Sequence, residues 1–96
     1  MDDGPRRALH LAIFGRVQGV GYRDFLQREA AARAFDGWVR NRRDGSVEAV
    51  VIGPLAAVDD LIEACRRGPA TAQVMDVRVA DYTGPFLSGF IVLPTE

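Results

Sequence analysis

Ninety-six residues suffice for one hydrophobic core and are too few for two, so one domain, residues 1–96, is expected to carry the whole function. With 48% hydrophobic and 26% charged residues the composition is that of an ordinary globular protein, and twelve Lys plus Arg against thirteen Asp plus Glu leave no global positive field to hold nucleic acid or an anionic membrane. The single cysteine, Cys65, and the single histidine, His10, exclude an intramolecular disulfide and a structural zinc site.

Residues 1–7 read as a flexible N-terminus. The apolar stretch that follows, residues 8–14, is too short and too alternating for a signal peptide or a membrane span, so a cytoplasmic address is expected. Leu9, Leu11 and Ile13 alternate with His10, Ala12 and Phe14, the period of a first strand, buried on both faces. Residues 15–21, GRVQGVG, place three glycines in seven positions, and residues 22–34 are rich in helix formers, with Tyr22, Phe25, Leu26 and Ala30 on one side.

Residues 37–41 read as a second strand, Asp44-Gly45 as a hairpin turn and residues 47–52 as a third strand. Gly53-Pro54 places proline at the start of a second helix whose apolar stripe is Val58, Leu61, Ile62 and Cys65; Arg66, Arg67, Gly68 and Pro69 close it. Residues 74–82 alternate as a fourth strand. A short fifth strand at residues 89–93 follows a turn at Gly84-Pro85. The order βαββαβ plus a short last strand predicts a ferredoxin-like α/β (α+β) sandwich, with two helices on one face of a mostly antiparallel sheet.

Backbone N–H groups in a glycine-rich turn can converge on an anion, and a helix starting behind them adds its positive end. GRVQGVG before Tyr22 has that arrangement; the alternative is that the glycines only turn a corner. It is not a nucleotide loop: a Walker A needs Gly-Lys-Ser/Thr, and a dinucleotide fingerprint needs glycine where Asp24 stands. Arg23, in the first helical turn, could clamp two oxygens of an anion held by the loop.

The stretch Gly15-Arg16-Val17-Gln18-Gly19-Val20-Gly21-Tyr22-Arg23 resembles the signature of the acylphosphatase family, and Gly37-Trp38-Val39-Arg40-Asn41 followed by Asp44-Gly45-Ser46-Val47-Glu48 resembles its second motif. The likeness runs through Gly68-Pro69-Ala70 to Phe90-Ile91-Val92. It implies the ferredoxin-like sandwich, a phosphate-binding segment over residues 15–23, a catalytic pair of Arg23 on the phosphate and Asn41 on the attacking water, and hydrolysis of a small acyl phosphate to carboxylate and inorganic phosphate. No metal, cofactor, nucleic-acid or membrane partner is implied, and a monomer is the simplest form. A non-catalytic regulatory or phospho-ligand module on the same sandwich is the alternative.

Two positions depart from the family pattern. Tyr22 stands where many relatives have phenylalanine, and Ala34-Phe35 replaces a Gly-Leu pair after the first helix, where alanine enters the left-handed conformation less cheaply than glycine. Asn41 by itself also suits a hairpin entry. His10 is expected to be packed or solvent-facing on its strand, Cys65 a small core hydrophobe, Trp38 core rather than site wall, and Arg40, Arg42 and Arg43 a solvated hairpin.

Overall fold

The computed structural model describes residues 4–85 and 88–96. Strand β1 (Arg6–Arg16) leads through the glycine loop into α1 (Tyr22–Ala32); β2 (Asp36–Asn41) and β3 (Val47–Pro54) form the hairpin. Helix α2 (Val58–Arg67), β4 (Gln73–Asp81) and β5 (Phe90–Val92) follow. The sheet order is β4-β1-β3-β2-β5, antiparallel throughout except for the parallel pair β2–β5, and α1 and α2 pack on one face.

The core lies between that face and the helices. Tyr22, Phe25, Leu26 and Ala30 of α1 are all buried, as their spacing predicts, against Leu9, Leu11 and Ile13 of β1 and Val39 of β2. In α2 the buried residues are Val58, Leu61, Ala64 and Cys65, with Ile62 partly buried beside them. Only one face of β1 is buried. His10, Ala12 and Phe14 are half-buried, because among the described residues no helix covers the opposite side of the sheet.

That open side carries a layer of charge. Glu48 accepts hydrogen bonds from His10 Nε2 at 2.7 Å, Arg40 Nε at 2.8 Å and Arg42 at 3.2 Å, and Arg40 also pairs with Glu96. Trp38 belongs to this layer rather than to the core: it is half-buried, with the Arg40 guanidinium 4.8 Å from its ring centroid. Arg40 and Arg42 are therefore paired and not freely solvated; Arg43 is exposed.

Two further expectations need correction, and a third borders residues outside those described. Of the N-terminus read as flexible, residues 1–3 lie outside the described residues, but Arg6 and Arg7 already pair in β1 with Pro54 and Gly53, and Arg6 bonds Asp36. Pro54 does not start α2. It stays extended (φ -60°, ψ 129°) at the end of β3, and a short 3-10 turn, Leu55–Ala57, intervenes; a proline φ suits both conformations, and pairing with the N-terminal segment through Leu55 N–H to Pro5 O selects the strand. The turn expected at Gly84-Pro85 is held by the Tyr82 hydroxyl donating to Pro85 O, while residues 86 and 87 lie outside the described residues.

Helix α1 closes on the alanine that departs from the family pattern. Ala34 is the one non-glycine residue with positive φ (63°) among those described. Phe35 N–H donates to Ala30 O and Ala34 N–H to Ala31 O, the double bond pattern of a Schellman cap, and Phe35 is buried just beyond it. Burial of Phe35 and the two capping bonds offset the strain of a left-handed alanine, roughly 1–2 kcal/mol.

Candidate active site

At the mouth of the glycine loop the structure opens a cavity of about 190 Å³ lined by Val17, Gly19, Gly21, Tyr22, Arg23, Asp24, Asn41 and Val92. The loop is fastened at three points. Val17 is buried in the core, Val20 O accepts from the Thr71 hydroxyl at 2.7 Å, and the Gln18 carboxamide donates to Arg42 O at 2.7 Å and Ser46 O at 2.9 Å across the hairpin.

Gly21, in the left-handed conformation (φ 79°), turns the chain directly into α1 and offers no side-chain cap. The first intrahelical bond runs from Phe25 N–H to Gly21 O, so the N–H groups of Tyr22, Arg23 and Asp24 are left at the positive end of the helix beside the cavity. Tyr22 itself points inward: its hydroxyl donates to Cys65 O at 2.7 Å, and burial raises its pKa well above the ordinary phenol value. Burial likewise pushes the Cys65 thiol up to about 12, so this cysteine is neutral and inert.

Arg23 is half-buried, and its guanidinium reaches one protein partner, Leu93 O at 3.5 Å, with no carboxylate in ion-pair range among the described residues. Asn41 ends β2 opposite Val47. It is 9% exposed, yet its carboxamide has no hydrogen-bond partner among the described residues, and none of its polar atoms is sealed from solvent. A buried amide without partners is costly unless something else meets it. It faces the cavity that Arg23 also lines. A guanidinium with no carboxylate partner, three amides and a carboxamide left unpaired among the described residues, all around one small space, suit an oxyanion and a water molecule.

Not every residue of the expected binding segment meets the cavity. Val17, Gly19, Gly21, Tyr22 and Arg23 do. Gly15 and Arg16 belong to β1, where the register slips against β4, and a Cβ on Gly15 would lie 2.2 Å from Gln73 O. That glycine serves the sheet irregularity. Val20 packs against the core, and the Gln18 side chain turns to the hairpin. His10, Cys65 and Trp38 are all outside the cavity lining. Sequence reasoning missed Asp24 and Val92: Asp24 is adjacent to Arg23 on the exposed first turn, a legible signal, whereas Val92 arrives only because β5 pairs parallel to β2. Among the described residues no group of three or more His, Cys, Asp and Glu side chains could hold a metal, and no helix is long and apolar enough to cross a membrane.

The fold and the cavity define a ferredoxin-like sandwich with an anion-sized site between the loop, the start of α1 and the end of β2. The family model for acylphosphatases matches residues 9–92. The chain is 49% identical to the acylphosphatase of Acidiphilium cryptum over 84 residues, 88% of this chain and 92% of the relative, and 44% identical to that of Rhizorhabdus wittichii, 98% and 95% covered. The crystal structure of acylphosphatase from Bacillus subtilis superposes with a TM-score of 0.85 at 37% identity, covering 90% of this chain and 97% of that one. The chain belongs to the acylphosphatase family, enzymes that hydrolyse the carboxyl-phosphate bond of acyl phosphates.

Proposed function

We propose that hydrolysis takes place in this cavity, with phosphate held by Arg23 and the amides at the start of α1, and the attacking water held by Asn41. The observation that carries the reading is the pairing, across one small space, of a guanidinium and a carboxamide that find almost no partners within the protein. The Asn41 oxygen accepts a hydrogen bond from the water, without taking its proton, and so aims the lone pair of the water at phosphorus. As the new P–O bond forms, the bond from phosphorus to the acyl oxygen breaks, the carboxylate leaves with the electron pair, and the water proton passes to a phosphate oxygen. Arg23 and the helix amides stabilise the equatorial oxygens, which is the charge work a metal would otherwise do. The reaction needs no metal, cofactor or covalent nucleophile, because the substrate is a reactive anhydride whose leaving group is a good one.

On this reading the 96 residues act as one monomeric cytoplasmic domain on a small acyl phosphate, without nucleic-acid or membrane partners. The test is phosphate release from a generic acyl phosphate by purified protein. Turnover should persist unchanged in excess chelator, and inorganic phosphate should inhibit competitively. Activity lost to chelator and restored by a divalent ion overturns the metal-free mechanism; noncompetitive inhibition moves the phosphate site elsewhere.

A further inference from the structure

Two walls of the cavity come from distant parts of the chain, the loop and the β2–β3 hairpin, and their spacing decides whether a water held by Asn41 meets a phosphate held by the loop. Val17 and Val20 fasten the loop to the core and to Thr71, not to the hairpin. The hairpin is braced separately. Arg42 N–H donates to Ser46 O, Asp44 accepts from the Ser46 hydroxyl and N–H, and Glu48 draws Arg40 and Arg42 together on either side of Asn41. Among the described residues the only hydrogen bonds between loop and hairpin are the two that Gln18 donates, to Arg42 O and Ser46 O. Arg42 directly follows Asn41; Gly19, which lines the cavity, directly follows Gln18.

We propose that Gln18 is a positioning residue, which sets the distance from the phosphate loop to the Asn41 carboxamide by donating both its N–H groups across to the hairpin. This rests on the roles proposed above for Arg23 and Asn41. Gln18 touches neither phosphate nor water; without it both walls persist, phosphate still binds, and the alignment of water with phosphorus is lost. A misplacement of about 1 Å at this step costs on the order of a hundredfold in rate.

The experiment compares Gln18→Ala, Gln18→Glu, Asn41→Ala and the double variant Gln18→Ala/Asn41→Ala, after circular dichroism and thermal melts show each folded at the assay temperature. Gln18→Ala should lower kcat roughly ten- to a hundredfold while the inhibition constant for inorganic phosphate moves less than about threefold. The double variant should be no slower than Asn41→Ala, because both changes remove the same alignment. Gln18→Glu sets a carboxylate against two carbonyl oxygens; protonation restores one donor, so its kcat should climb as pH falls from 8 to 5 while wild type stays flat. Unchanged kcat with a lowered melting temperature, parallel weakening of phosphate binding, or losses that multiply in the double variant would each overturn the proposal for Gln18 alone. Near-full turnover in Asn41→Ala overturns the water-holding role of Asn41, and the proposal for Gln18 with it.

Discussion

Arg23 and Asn41 share a cavity but offer it different chemistry, so their variants should fail differently. Arg23→Gln removes a charged fork that, on the proposed reading, meets phosphate in both ground and transition states, so phosphate affinity and turnover should fall together. Even Arg23→Lys should be poor, because a point charge cannot make two parallel hydrogen bonds. Asn41→Ala removes a group proposed to meet only the water, so turnover should drop roughly a hundredfold or more with phosphate affinity almost unchanged. Calorimetric titration with inorganic phosphate alongside turnover checks both; equal loss of phosphate binding in the two variants would refute the division of labour. Asp24, exposed on the same cavity wall, places a negative charge beside the proposed phosphate site. Asp24→Asn should tighten phosphate inhibition by a factor of about 2–5, the worth of removing one nearby charge in a well-solvated site.

At the scale of the element, the end of α1 stores removable strain. Ala34 holds a φ of 63° inside a complete Schellman cap. Ala34→Gly relieves roughly 1–2 kcal/mol of left-handed strain and returns part of it as unfolded-state entropy, so a net gain of roughly 0.5–1 kcal/mol is expected. Thermal melts should show a rise of several degrees with unchanged kcat; a lower melting temperature would mean that the alanine methyl packs favourably enough to outweigh the strain.

For the whole molecule, burial links folding to alkaline pH. Cys65, raised from an ordinary 9.0 to about 12, and Tyr22, raised above its ordinary 10.0, both keep their protons in the folded state where the unfolded chain releases them. The unfolded state then binds fewer protons, so their contribution is complete below pH 9 and is lost as pH rises toward 12. Glu48 acts with the opposite sign. Although burial pushes its carboxyl upward, the bonds from His10 and Arg40 outweigh it and hold the group below its ordinary 4.5. Its contribution is present above pH 4.5 and is lost as pH falls below that. Urea denaturation from about pH 2 to about pH 12 should show both shoulders, and Tyr22→Phe with Cys65→Ala should flatten the alkaline one; parallel curves above pH 9 would remove the assignment.

Element order, the apolar stripe of α1, the C-terminal stop of α2 and the two residues Arg23 and Asn41 were legible in the sequence, because each rests on a local rule. Periodicity places a helix face, Gly68-Pro69 ends a helix, and motif residues lie a few positions from the turns that present them. The errors have a common cause in partners far along the chain. Pro54 is strand rather than helix start because Pro5 meets Leu55; Trp38 lies outside the core because both helices take the other face of the sheet. The same distance along the chain hides that β4 presses on Gly15 and that the Gln18 side chain turns to carbonyls at positions 42 and 46. That Arg23 and Asn41 should be sought at one site followed from sequence by resemblance, and one cavity is lined by both. That, among the described residues, Arg23 meets only Leu93 O and the Asn41 carboxamide meets nothing, with a cavity beside them and one glutamine spanning its walls, was decided only by the tertiary structure, since a missing partner is a property of everything packed nearby.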